Sequence, residues 1–232
     1  MQYPTMLHVQ VNKLNQPKFA KFGLVSLTEN EHARMLNAAI LDELEKSHHM
    51  DIRKLRKLIS DAGRNFKKDA IQSIPSSIDT TGIDLHQLYT QFTGDWFEAF
   101  AEFFLKTFDN DERYGVRGYT PAVLDDDFGV DGYGLCYDDT DGQHKCVVQV
   151  KYRLNGKDEI DYGALAKTYT SGSNQFGIEQ GVSRNVILFC SCSGANRNAK
   201  DGLGHHLYVV NGDMISREIN NAGFWQSFAA CF

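Results

Sequence analysis

Residues 129–153 read GVDGYGLCYDDTDGQHKCVVQVKYR, and the fold turns on how this stretch pairs with itself. GLCY and KCVV are strand-like runs, and the DDTDGQ between them is a hairpin signal, with Gly142 available for the left-handed position of a tight bend. A three-residue loop, Thr140-Asp141-Gly142, pairs Asp139 with Gln143, Tyr133 with Gln149 and Asp131 with Lys151. Asp131, Gln149 and Lys151 then share one face, while Val148 and Val150 point to the other, into a core. A two-residue Asp-Gly turn pairs Asp131 with Tyr152 and scatters the polar set, so the bulged turn is the reading that gives the polar residues a common purpose.

Outward from the hairpin, the upstream neighbour is a helix, TGDWFEAFAEFFLKTF, whose Phe97, Phe100, Phe104 and Phe108 form an apolar stripe with Glu98 beside it. Downstream come a helix-like stretch (160–176), the apolar strand NVILFCS (185–191), a short helix after SGANRNA, the strand HLYVV (206–210) and a last helix near Phe224. Helix, strands, helix, strand, helix and strand in that order describe an α/β domain with a mixed central sheet. Before all of this, TENEHARMLNAAILDELEKS opens with a capping box, Thr28 and Glu31, and repeats Leu36, Ile40 and Leu44 at helical spacing. A second helix is expected over 51–74, with a break near Gly63. The turn-rich IPSSIDTTG (74–82) separates an N-terminal helical region, 1–80, from a second unit, 81–232.

The chain has 232 residues, 42% hydrophobic and 23% charged, enough for a real core. Its net charge of −6 is unevenly spread: residues 109–141 hold ten acids against Arg113 and Arg117, leaving the remainder at +2. Residues 51–68 hold seven basic residues, Arg53, Lys54, Arg56, Lys57, Arg64, Lys67 and Lys68, against two acids. An acidic centre beside basic flanks suits a metal site working on a polyanion. The five cysteines are odd in number and lack a zinc spacing, so they read as reduced core thiols of an intracellular protein. No apolar run reaches the length of a membrane span and no leader is visible, which points away from membranes and to the cytoplasm, or to the nucleoid or nucleus where DNA is.

Three elements in order resemble the PD-(D/E)xK nucleases, in particular their Mrr-like restriction endonuclease branch. They are Phe97-Glu98 on the helix, Gly129-Val130-Asp131-Gly132 entering one strand, and Gln149-Val150-Lys151 ending the next, and the likeness spans roughly 90–215. The resemblance implies a restriction-endonuclease-like mixed central sheet flanked by helices, and a metal-dependent DNA endonuclease that hydrolyses phosphodiesters. It implies Mg²⁺, with Mn²⁺ able to substitute, held by Asp131, Glu98, the Gln149 side-chain oxygen and the Val150 carbonyl. Lys151 would orient or deprotonate the attacking water and stabilise charge on the phosphate. Gln149 stands where the older pattern has an acid, which places the charge on Asp131 and Glu98 and favours one ion over two.

Glu102, one turn after Glu98, competes with it. Asp125, Asp126 and Asp127 read as a solvated loop, and the pairs His48-His49 and His205-His206 as neighbours pointing apart. Arg53, Lys54, Arg56, Lys57, Lys67, Lys68, Lys167 and Arg197 are candidates for DNA phosphates, with Arg184 and Lys200 beside them. Cutting both strands of a duplex calls for two active sites, hence a homodimer or a tandem assembly. Two further readings stay open: a structure-specific nuclease portion of a larger replication or helicase polypeptide or complex, with which the FWQSFAACF ending is consistent, and a module that binds nucleic acid without cutting.

Overall fold

A computed structural model describes residues 3–18, 27–78, 81, 84–122, 129–137 and 143–232, with Leu85 as backbone only. Helix α1 (Asn30–Ser47) buries Leu36, Ile40 and Leu44 at the expected spacing. The capping box does not form. Glu29 takes the N-cap position with no side-chain bond to the helix, because its carboxylate turns inward to Lys18 Nζ at 3.0 Å. Helix α2 (Ile52–Ser73) is capped by Asp51, which accepts from the Lys54 N–H at 2.8 Å. It runs unbroken through Gly63 because that residue is a point of helix contact: a Cβ there would lie 2.7 Å from Thr93 Cγ2 and 3.0 Å from Tyr89 Cδ2. The linking stretch 74–82 lies partly outside the described residues.

Helix α3 (Leu85–Thr107) starts well before the Thr93 that opens the apolar pattern, with Asp84 accepting from the His86 N–H. Trp96, Phe97, Phe100, Phe103 and Phe104 are fully buried. A helix with so wide an apolar face belongs in the middle of a core, and its remaining edge carries Asp95, Glu98 and Glu102. Strands β1 (Val116–Pro121), β2 (Gly132–Tyr137), β3 (Gln143–Lys151), β4 (Glu159–Ile160), β5 (Val186–Cys190), β6 (Gly194–Ala195) and β7 (Leu207–Val210) follow, with helices α4 (Tyr162–Ser171), α5 (Arg197–Leu203), α6 (Gly212–Glu218) and α7 (Ala222–Ala229) among and after them.

The main sheet has the order β1-β2-β3-β5-β7, antiparallel through β3 and parallel from β3 onward, and β4 pairs with β6 separately. The architecture is therefore mixed α/β, as expected. β5 carries the unbroken apolar run VILFC because both of its faces are covered. Ile187 and Phe189 join the large cluster around α3, and Leu188 and Cys190 join the cluster under α4 and α5. On the α3 side, Phe189 meets Phe97, Phe100 and Phe104 with ring centroids 5.6, 6.1 and 5.4 Å apart. Phe228 of α7 closes the far side of α3, 5.4 Å from Trp96 and 5.2 Å from Phe103. Residues of α1 and α2 share that same cluster.

β1 was not anticipated. Gly118 and Pro121 are poor strand residues, and the strand accommodates them because it lies at the sheet edge with an irregular register between Arg117 and Thr120.

The hairpin register differs from expectation by two residues. Tyr133 pairs with Val147 rather than Gln149, and Tyr137 rather than Asp139 faces Gln143; the loop residues Thr140, Asp141 and Gly142 lie outside the described residues. Asp131 is thereby brought beside Gln149 instead of Lys151, where its N–H donates to the Val148 carbonyl at 2.9 Å. A shift of two leaves every side chain on its own face, so Val148 and Val150 still enter the main core. The four cysteines Cys136, Cys146, Cys190 and Cys192 are buried and Cys231 partly so, all as free thiols. Among the described residues no helix is long and apolar enough to cross a membrane.

Candidate active site

The sequence GVDG builds a fixed position for one carboxylate. Gly129 has φ +73°, a left-handed turn into β2 that suits glycine. Gly132 is needed because a Cβ there would run into the Tyr119 ring. Between them the Asp131 carbonyl accepts from the Ala122 N–H at 3.0 Å and from the Tyr119 hydroxyl at 3.3 Å. The Asp131 carboxylate accepts from the Val150 N–H at 2.6 Å and from Gln149 Nε2. It caps a backbone donor that β2 leaves behind as the two strands part. The N–H and carbonyl of one strand residue point the same way, so the Val150 carbonyl is directed to this side as well.

Gln149 is 2% exposed. Its Oε1 is 2.9 Å from Thr168 Oγ1 of α4, and that hydroxyl also lies 2.6 Å from the Gly129 carbonyl. The amide nitrogen, not the oxygen, thus faces Asp131. Presenting the Gln149 oxygen there requires the amide to rotate, and the Thr168 hydroxyl can serve either state because it both donates and accepts.

Glu98 approaches from α3, its side chain 16% exposed and 2.5 Å from Lys13 Nζ. Burial pushes the Glu98 carboxyl up to about 8, the Asp131 charge adds to the shift, and Lys13 opposes it. Burial acts to lower the Lys13 ammonium, but the Glu98, Asp95 and Asp131 charges outweigh it and raise it to about 12. The Asp131 charge thus reaches Glu98, which comes from a different element. Glu98, Val150 and Lys151 also line one cleft of about 310 Å³, with Tyr89, Thr93 and Arg153 around them. Larger concavities, such as one of about 550 Å³ bordered by Tyr3 and residues 106–111, hold none of the candidate residues.

Glu102 has other work. It is fully buried, accepts from the His8 and Val9 N–H groups at 3.0 and 2.9 Å, and pairs with Lys106 at 2.6 Å. Asp125, Asp126 and Asp127 lie outside the described residues. The His205 and His206 rings do not point apart: they occupy a tight turn, Gly204–His206, with centroids 4.1 Å apart. Of the basic candidates, Lys54 is held by Glu43 at 2.7 Å, and Arg56 donates to the Ser191 carbonyl at 2.5 Å. Arg53 and Arg197 are 81% and 92% exposed. Lys57 and Lys68 are exposed and Lys67 half-buried. Lys167 runs past Gly129, where a Cβ would lie 3.2 Å from Lys167 Cδ and 3.6 Å from Gln149 Oε1.

Sequence reasoning missed Lys13, Thr168 and a neighbouring charge group in which Lys18 pairs with Asp95 at 2.6 Å and Glu29 at 3.0 Å. Burial and then the Asp95 charge hold the Glu29 carboxyl well above the usual range, against the Lys18 ammonium. No motif marks Lys13 or Thr168; only the spacing of Thr168 from Leu165 on α4 hinted that it faces inward.

No protein-family model matches the chain, and no curated protein matches it. Among solved structures, the MspJI restriction endonuclease in complex with a 27-mer oligonucleotide aligns over 67% of this chain and 36% of its own, at 16% identity and a TM-score of 0.38. This chain therefore spans about a third of that one. The chemistry of the site rests on its own residues.

Proposed function

We propose that the chain is a metal-dependent DNA endonuclease of the restriction-endonuclease-like kind, with an Mrr-type site formed by Glu98, Asp131, Gln149 and Lys151. The observation that carries this reading is the junction where β2 and β3 part: Asp131 is bonded to Gln149 and to the Val150 N–H, and Val150 lines one cleft with Glu98 and Lys151. Two carboxylates that raise each other's charging cost in a dry place are matched by a divalent cation, and the set of oxygen donors is the kind Mg²⁺ or Mn²⁺ takes. Asp131, Glu98, the Val150 carbonyl and, after rotation, the Gln149 oxygen would hold the ion.

When bound, the ion would polarise the phosphate and make water a stronger nucleophile at neutral pH. Everything else falls to this chain. Lys151, at the mouth of the cleft, orients the water and meets the charge that builds on the phosphate oxygens. Thr168 keeps the Gln149 amide in the plane it needs, and Lys167, with Arg53, Lys57, Lys68 and Arg197, offers exposed cations to the DNA backbone. Lys54 and Arg56 serve the fold first. The N-terminal helices, 1–80, flank the cleft through Tyr89 and Thr93 of α3, against which α2 packs at Gly63, and would help position DNA or a partner. A homodimer would supply the second cut.

Supercoiled plasmid incubated with Mg²⁺, Mn²⁺ or EDTA tests the proposal. Wild type should nick or linearise it only with the metal, while Asp131→Ala and Lys151→Ala should lose at least about a hundredfold in rate with circular dichroism unchanged. Full cutting by either variant would refute the assignment. Metal-free DNA binding with no product under any ion would favour the non-catalytic reading.

A further inference from the structure

Lys13 reaches the candidate site from 85 residues away in sequence. Its position is fixed by its own segment. Leu7, Val9 and Leu14 are buried in the main core, Glu102 takes the His8 and Val9 N–H groups, and the Leu14 carbonyl accepts from the Glu29 N–H at 3.0 Å. On this anchored turn, Gln10–Leu14, Lys13 points its ammonium at Glu98 Oε2, 2.5 Å away. Farther along, Lys18 does the same for Asp95 and Glu29. The segment brings two ammonium groups to Asp95 and Glu98 of α3 and to Glu29 at the start of α1.

We infer that Lys13 is a tethered counter-cation of this site, and that a divalent ion enters by displacing it from Glu98. The inference rests on the proposal that Glu98 and Asp131 bind metal, and goes beyond it in naming what occupies Glu98 beforehand. Two buried carboxylates without a cation are costly, and an ammonium at 2.5 Å supplies one. A divalent ion on the same carboxylate would stand within a few ångströms of that ammonium, where two positive charges in a partly dry site repel strongly. One of them has to leave. The lysine can, because its four-carbon stem is flexible while the turn that carries it stays anchored.

The test is Mg²⁺ titration calorimetry on the full chain at pH 9, where protons compete least for the carboxylates, with wild type, Lys13→Met, Lys13→Arg and Asp131→Ala. Lys13→Met should bind Mg²⁺ about tenfold tighter than wild type, the scale of one partly buried ion pair, and Lys13→Arg should remain near wild type. If Asp131→Ala binds like wild type, the metal site itself fails and this inference with it. If binding depends on Asp131 but Lys13→Met gains nothing, only this inference fails. A measurement on wild type avoids any folding defect of the variants: Lys13 ammonium NMR should show a protected signal that vanishes as Mg²⁺ is added, and a signal that persists at saturation would overturn the displacement.

Discussion

Asp131 is a residue whose backbone is held at three points and whose carboxylate is shared between an amide and a backbone N–H. That rigidity lets a single charge be aimed, and Glu98 is tuned against it. Burial and then Asp131 raise the Glu98 carboxyl to about 8. The folded chain therefore keeps a proton that the unfolded chain releases near its ordinary value, so metal-free stability is greatest below that value and declines as pH rises toward 8. Urea unfolding in EDTA from pH 5 to 8.5 should show this decline, and Glu98→Gln should make it shallower, with the raised Glu29 carboxyl supplying the remainder; an unchanged slope in the variant would place the titration elsewhere. At this scale the sequence was legible where chemistry is local. Asp131, Gln149 and Val150 lie within one hairpin, and the fixed two-residue period kept Asp131 and Gln149 on one face although the expected register was off by two. Lys151, expected opposite Asp131, falls two residues farther along β3. Lys13 was illegible because its partner is 85 residues distant and nothing in VNKLNQ declares a site.

Between elements, glycine allows a close approach of two helices. Gly63 lies where α2 crosses α3, facing Thr93 Cγ2 and the Tyr89 ring. Alanine is ordinarily better than glycine inside a helix by about 1 kcal/mol, but here its methyl would meet a buried, branched side chain. Gly63→Ala should therefore destabilise by roughly 1–3 kcal/mol in denaturant unfolding, and adding Thr93→Ser, which removes Cγ2 and keeps the hydroxyl, should recover most of the loss. Stabilisation by Gly63→Ala alone would contradict the contact. The same glycine misled the sequence reading, which expected a break, since a helix breaker and a helix crossing look alike in one dimension. β1 escaped for a related reason: its Gly118 and Pro121 are tolerated only because the strand is an edge. The long apolar patterns of α1, α3 and β5 were legible, because burial imposes their periodicity whatever their partners.

Across the whole molecule, α3 links the hydrophobic core to the candidate site. Its aromatic faces join the sheet, through Phe189, to α7, through Phe228, and its polar edge carries Asp95, Glu98 and Glu102 toward the N-terminal segment. Core and candidate site are consequently parts of one packing arrangement, with the acids on the rim of a hydrophobic centre that holds them away from water. The uneven charge along the sequence suggested an acidic centre over 109–141; Asp131 belongs to that stretch, several of its other acids lie outside the described residues, and Glu98 comes from α3, outside that stretch. Diffraction from crystals soaked in Mn²⁺, collected for anomalous signal, tests this arrangement most directly. The account predicts a peak contacted by Asp131 and Glu98 with the Val150 carbonyl alongside and Lys13 turned away. A well-occupied Mn²⁺ elsewhere, with Asp131 still bonded to Gln149 and Glu98 still paired with Lys13, would contradict it.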